Sequence, residues 1–244
     1  MATRKKTAPK GKNSSKASPP LKKRAGRWVV RALALAFVLA VLLVLLFRFV
    51  NPPTGVYMLS ESRRLGGVQR DWVPLEQIAP VMARAAVAAE DANFCNHWGF
   101  DMQAIRTAIE NGSARGASTI SQQTVKNVYL WHGRSWLRKA LEAGMTPLVE
   151  TLWPKRRIIE VYLNVAEFDE GVFGVGAAAP HYFGVAAADL SPTQAARLAA
   201  ILPDPKERSA SRPGDFTRKR TAQIMEANRQ LSQARAEAVR NALI

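Results

Sequence analysis

KRRIIEVYLNVAEF, residues 155–168, is the stretch that decides the architecture. Ile158, Tyr162 and Ala166 fall at i, i+4 and i+8, one stripe of an α-helix rather than the alternation of a strand. The same pattern holds on either side. PVMARAAVAAED, residues 80–91, is Ala-rich with small apolar residues on one side. SPTQAARLAAILPDP, residues 191–205, offers Ser191 as an N-cap, Pro192 at the first helical position and Pro203 as a stop. Gly-rich joints at 112–116 and 171–176 separate the helices, and beyond Phe216 the pattern is a charged helix. No stretch sustains period-two alternation and no repeat of fixed period occurs. The expected fold class is mainly α.

Upstream lies WVVRALALAFVLAVLLVLLFRFV, residues 28–50, apolar without interruption from Ala32 to Phe47. Its length spans the ~30 Å hydrocarbon layer if Arg31 and Arg48 snorkel. No small-x-small cleavage site follows it, so it reads as an uncleaved transmembrane anchor rather than a signal peptide. The chain has 244 residues and a net charge of +16. Residues 1–31 hold 11 Lys or Arg and no acid, and the remaining 24 basic and 19 acidic residues leave only +5. A cytoplasmic flank explains this distribution better than nucleic acid, which is not expected as a partner. With no large apolar content, residues 1–27 are expected to be a disordered tail. Asn51-Pro52-Pro53-Thr54-Gly55 opens a linker running to 69. The main domain is then 70–208, followed by a helical extension at 209–244. The single Cys95 excludes an intrachain disulfide and a Cys-rich metal site.

Four polar clusters interrupt the apolar pattern. In AAEDANFCNHWGFD, Glu90 and Asp91 follow an apolar helix directly. A carboxylate at a cleft edge there would have its pKa raised and could act as a base, although the dipeptide alone reads more simply as a solvated helix end. His97, between aromatic residues, reads as a packed, hydrogen-bonded core histidine. GASTISQQTVKN, residues 116–127, holds polar groups that are costly to bury without partners. It reads either as a surface for sugar hydroxyls and phosphates or as a helix start capped by Ser118 or Thr119. In GRSWLRKALE, Arg134, Arg138 and Lys139 are cations, and Glu142 lies four residues after Arg138, a spacing that a surface salt bridge would explain. In the fourth cluster Glu160, Asn164 and Glu167 are read mainly as structural. Val128, Tyr129, Leu130, Trp131 and Trp136 suit a membrane headgroup layer, with ordinary core as the alternative. Tryptophan fluorescence indifferent to lipid vesicles, in protein lacking the anchor, would count against the headgroup reading.

These clusters, in this order over about residues 72–205, resemble the family 51 glycosyltransferases. The strings that carry the likeness are AAEDANFCNHWGFD, GASTISQQTVKN, RKALE, KRRIIEVYLNVAEF and GVFGVGAAAPHYFG, with LSPTQAARLAAILPDP matching more loosely. Departures are Ala117, where a second Gly is common, and Gly176 and Gln194, where Glu is common. The resemblance implies a lysozyme-like, mainly α domain with one N-terminal transmembrane helix. It implies a single pass through the bacterial inner membrane, with the N-terminus cytoplasmic and the catalytic domain periplasmic. Glu90 matches the general base. Lys126, Arg134 and Glu142 match residues around the donor's pyrophosphate. Asp91, Ser118, Thr119, Gln122, Gln123, Asn127 and Arg138 fall in the same motifs as substrate-binding candidates.

The implied reaction polymerises lipid II into β-1,4-linked glycan with release of undecaprenyl pyrophosphate. The partners implied are lipid II, the growing lipid-linked glycan, the membrane and cell-wall synthesis or division proteins. Glu142 would either orient Lys126 and Arg134 or hold a divalent cation, Mg²⁺ or Mn²⁺, bridging the phosphates; activity undiminished by exhaustive chelation would remove the metal. Two rivals are a lytic transglycosylase or muramidase, which would cleave strands, and a non-catalytic membrane-anchored cell-wall scaffold. No Ser-x-x-Lys or Lys-Thr-Gly occurs, so transpeptidase chemistry is not expected.

Overall fold

The computed structural model describes residues 21–110, 112, 118–133 and 135–230. The expected disorder of residues 1–20, most of the Gly-rich joint at 112–116, Arg134 and the last fourteen residues of the C-terminal extension fall outside the described residues. The chain divides into two compact units, Met1–Leu42 and Leu43–Ile244.

In the first unit the described chain is the helix α1 (Leu21–Phe49), which continues into the second. It starts at Leu21, earlier than the tail boundary expected at residue 27. Its portion Gly26–Phe49 is long and apolar enough to cross a membrane, at about 36 Å for 1.5 Å per residue. Leu33, Leu35, Phe37 and Leu39 are all exposed, which is consistent with a membrane anchor.

The second unit begins with the last turns of α1, where Val44 and Phe47 are buried. A helix end leaves backbone carbonyls without partners. Here Trp153 Nε1 donates to the Val44 carbonyl at 2.7 Å, and the Arg157 guanidinium donates to the carbonyls of Phe47 (3.0 Å) and Val50 (2.9 Å). Arg157 also bonds Asn51 Oδ1 and Glu160 Oε1, so Glu160 is a structural counter-ion.

The linker expected over 51–69 contains a helix, α2 (Val56–Leu65), and this corrects the sequence reading. Its polar string SESRR hides the pattern, since only Met58 and Glu61 are buried. A Cβ at Gly55 would lie 2.3 Å from the Asn127 carbonyl oxygen, so this glycine lets α2 start against the following helix layer.

The rest follows the expected grammar. The helices are α3 (Pro80–Glu90), α4 (Met102–Glu110), α5 (Ile120–Tyr129), α6 (Trp136–Leu152), α7 (Lys155–Val165), α8 (Val175–Phe183), α9 (Pro192–Ile201) and α10 (Asp215–Gln230). Pro80 opens α3, and Ser191 caps α9 in a reciprocal box with Gln194. The boxed Gln194 side chain thus has a local role where the family often carries Glu.

Helix α7 is central. The expected stripe is buried, but so is every residue from Arg157 to Val165, because neighbours surround this helix on all sides. Asn164 behaves as an inserted peptide group. Its Oδ1 accepts from the Val73 N–H at 2.8 Å, and its Nδ2 donates to the carbonyls of Val73 and Glu160. Asn164→Ala strands both Val73 groups and should cost about 2–3 kcal/mol; chemical denaturation with an unchanged midpoint would contradict this.

A small sheet escaped the sequence reading because its strands are too short to alternate. β1 (Gln69–Arg70) pairs in parallel with β3 (Val172–Phe173), which pairs antiparallel with β2 (Glu167–Asp169). Gly176, at the start of α8, lies under this sheet's approach. A Cβ there would be 2.4 Å from the Asp71 carbonyl oxygen, so no larger side chain fits this backbone.

Candidate active site

Helix α3 delivers Glu90 at its last turn, half-buried. Gln123 of α5 donates from Nε2 to Glu90 Oε2 at 2.9 Å. Burial pushes the Glu90 carboxyl above its ordinary value and outweighs the opposing Gln123 bond and the cations Arg220 and Lys126; Asp91 adds to the rise. Glu90 is therefore not the freely solvated helix end that the dipeptide alone suggested.

Asp91 does different work. One oxygen meets His97 Nε2 at 2.8 Å, and the other accepts the Ile120 N–H at 3.0 Å, an orphan donor in the first turn of α5. His97 is the packed, bonded histidine expected. Thr119 is the N-cap of α5, forms a reciprocal box with Gln122 and donates from its hydroxyl to the Gly99 carbonyl. Asp91, Thr119 and Gln122 are all buried and committed to the fold rather than presented to a ligand. Ser118 is exposed beside them.

On α5, Gln123 and Lys126 are three residues apart and share a face. Both line a cavity of about 430 Å³, together with Asn127, His132, Tyr57 and Lys206. Glu90 is linked to this cavity through the Gln123 amide. Burial lowers the Lys126 pKa; Glu142 and Glu90 oppose that shift, while Arg138 and Lys139 add to it. A half-desolvated ammonium beside other cations is poised for an anion.

Glu142 is 2% exposed. Its oxygens engage Arg138 Nη1 at 2.6 Å and Lys139 Nζ. The pair expected on the surface is therefore buried on its acidic side, and deleting Glu142 would leave cations uncompensated. With both oxygens taken by cations, the carboxylate does not fit the expected Mg²⁺ or Mn²⁺ site. Among the described residues, no group of three or more His, Cys, Asp or Glu side chains could hold a metal ion. The fit is to a carboxylate that orients two cations.

Several groups in the cavity wall escaped the sequence reading. Tyr57 stacks on His132 with ring centroids 3.5 Å apart, and its hydroxyl donates to Glu167 Oε2 at 2.6 Å. Lys206 bonds Glu61 at 2.7 Å and lies 3.7 Å from Glu167. Glu167 thus belongs to the cavity wall. These residues come from distant segments, and no local pattern marks them. Of the residues expected at a headgroup layer, Val128 and Leu130 are core and Tyr129 packs against it, whereas Trp131 and Trp136 are exposed.

Comparisons with known proteins give the class to which this helical domain and its site belong. The transglycosylase family model matches residues 58–229. A biosynthetic peptidoglycan transglycosylase of Jannaschia sp. (strain CCS1) is 59% identical over 198 residues, covering 81% of this chain and 83% of that protein. Proteins of the same name from Xanthomonas campestris pv. campestris (strain B100) and Caulobacter vibrioides are 46% and 48% identical. The first alignment covers 91% of this chain and 95% of the relative, the second 83% and 93%. The chain belongs to the transglycosylase family, the family 51 glycosyltransferases that its motifs resemble, and its domain is lysozyme-like.

Proposed function

We propose that this enzyme polymerises lipid II, with Glu90 as general base and Lys126 on the leaving pyrophosphate. Glu90 takes the proton of the acceptor's GlcNAc 4-hydroxyl. That oxygen bonds to the MurNAc anomeric carbon of the donor, and the bond from that carbon to the pyrophosphate oxygen breaks with its electron pair. The centre inverts, giving a β-1,4 link and undecaprenyl pyrophosphate. One base and one stabilised leaving group suffice, without a carboxylate nucleophile.

One observation carries the reading. A single face of α5 presents Gln123 to Glu90 and, one turn on, Lys126 to the cavity. Base and cation are thereby held on the same rigid element, and preorganised charge is effective where water is scarce. Arg138, paired with Glu142, adds positive charge near Lys126. Ser118, Asn127 and Arg134 are assigned to substrate binding with it.

The basic tail before α1 supports an orientation with the N-terminus cytoplasmic and the catalytic domain periplasmic. Trp131 and Trp136, both exposed, are suited to the headgroup layer. The substrate that decides the matter is the lipid-linked one. Labelled lipid II should be consumed with release of lipid pyrophosphate, and purified sacculi should remain intact. Solubilised glycan fragments from sacculi would favour strand cleavage instead.

The raised Glu90 pKa sets a pH dependence. A base must be ionised, so turnover is retained above the raised pKa and lost as pH falls through it. The acid limb of the rate profile should have its midpoint above the ordinary glutamate value of about 4.3. A midpoint at or below that value would contradict the burial argument.

A further inference from the structure

Helix α10 follows the expected domain end at 208, yet all but its last residue falls within the family match over residues 58–229. It packs on α3 and α9 through Thr217, Thr221 and Ile224, all buried at i, i+4 and i+7. Arg220 stands beside that stripe, half-buried, and reaches across to α3. Its Nη2 donates to the Ala89 carbonyl at 2.7 Å. Ala89 is the residue before Glu90, and its carbonyl belongs to the last turn of α3, where unpaired acceptors and the helix dipole favour a cation.

We infer that Arg220 is a positioning residue for the base: it fixes the backbone that carries Glu90 and keeps a permanent positive charge next to the Glu90 carboxylate. The inference rests on the assignment of Glu90 as base. The groups acting on Glu90 come from each side. Asp91 is its chain neighbour, Gln123 and Lys126 come from α5, and Arg220 comes from α10. The buried Tyr162 of α7 is itself acted on by Glu90 and Asp91. Helix α9 carries one ionisable residue, Arg197.

Of the two cations, Arg220 opposes protonation of Glu90 more strongly than Lys126 does. They also differ in exposure to substrate. Lys126 lines the cavity, and Arg220 does not. When a diphosphate occupies the cavity, the Lys126 charge is neutralised by it. Arg220 has no such competitor and continues to favour the ionised base during the reaction. An arginine suits this duty because its guanidinium stays protonated even when partly desolvated.

The test uses the full-length protein in detergent micelles with labelled lipid II, measuring kcat and KM from about pH 5 to about pH 9. Arg220→Gln keeps a donor for the Ala89 carbonyl and removes the charge; Arg220→Lys keeps the charge. The expected result for Arg220→Gln is an acid limb moved to higher pH. Its kcat should be severalfold lower at the acid end, recover to within about twofold of wild type at the alkaline end, and show unchanged KM. Arg220→Lys should return the limb to the wild-type position. A limb that stays in place, or a uniform loss at every pH with a lowered Tm, would overturn the inference. If Arg220→Gln and a second neutral variant, Arg220→Met, both fail to fold while Arg220→Lys folds, the role is structural and the inference falls. Glu90→Gln separates this from the assignment beneath it. If that variant keeps wild-type activity and the same acid limb, the base itself is wrong, whatever Arg220 does.

Discussion

Glu90→Gln should lower glycan polymerisation at least about a hundredfold, the lower bound for loss of a general base, with Tm and secondary structure unchanged. The amide keeps the shape and one hydrogen-bonding oxygen, so Gln123 retains a partner at that position. What disappears is the ability to accept a proton from a sugar hydroxyl. Because Glu90 is half-buried and raised in pKa, the amide also removes a desolvation cost, and the variant should be no less stable than wild type. The loss therefore belongs to kcat. Rates within a few fold of wild type would show that another group takes the proton.

Lys126→Ala should be the second large loss, on the order of a hundredfold in turnover, comparable to removing one preorganised charge donor. The ammonium is held in a low-dielectric wall, so its contribution is larger than that of a surface lysine. Its deletion also leaves Glu142 with Arg138 and Lys139 only, which already satisfy it, so the fold should survive. Lys126→Arg should restore part of the rate, because it returns a permanent positive charge to the wall, though not the ammonium's geometry. Unchanged donor binding and turnover in Lys126→Ala would remove the residue from the leaving-group site.

The helices were legible where their own sequence carried both period and punctuation. Ser191 and Pro192 open α9 as the spacing required, and the α7 stripe is buried. Helix α2 was not legible, because its burial depends on partners far along the chain: Glu61 is held by Lys206, 145 residues away. The two- and three-residue strands are too short for any periodicity.

The site was legible in residue type but not in duty. Glu90, Gln123 and Lys126 come together as their motifs suggested. Asp91, Thr119 and Gln122 sit in the same motifs, yet they satisfy orphan N–H groups at the start of α5. The T-x-x-Q spacing of a capping box was visible in residues 119–122 and could have separated them. Glu142 carried the reverse ambiguity. Its i, i+4 relation to Arg138 was plain, but only packing determines that the carboxylate is buried. Tyr57, His132 and Lys206 meet only in three dimensions.

The most direct test of the central claim is a single-turnover experiment on wild type and Glu90→Gln with labelled lipid II, counting bound substrate and released undecaprenyl pyrophosphate in one reaction. The expected result is equal binding with pyrophosphate release slowed at least about a hundredfold in the variant. Equal release by the two proteins would contradict the account.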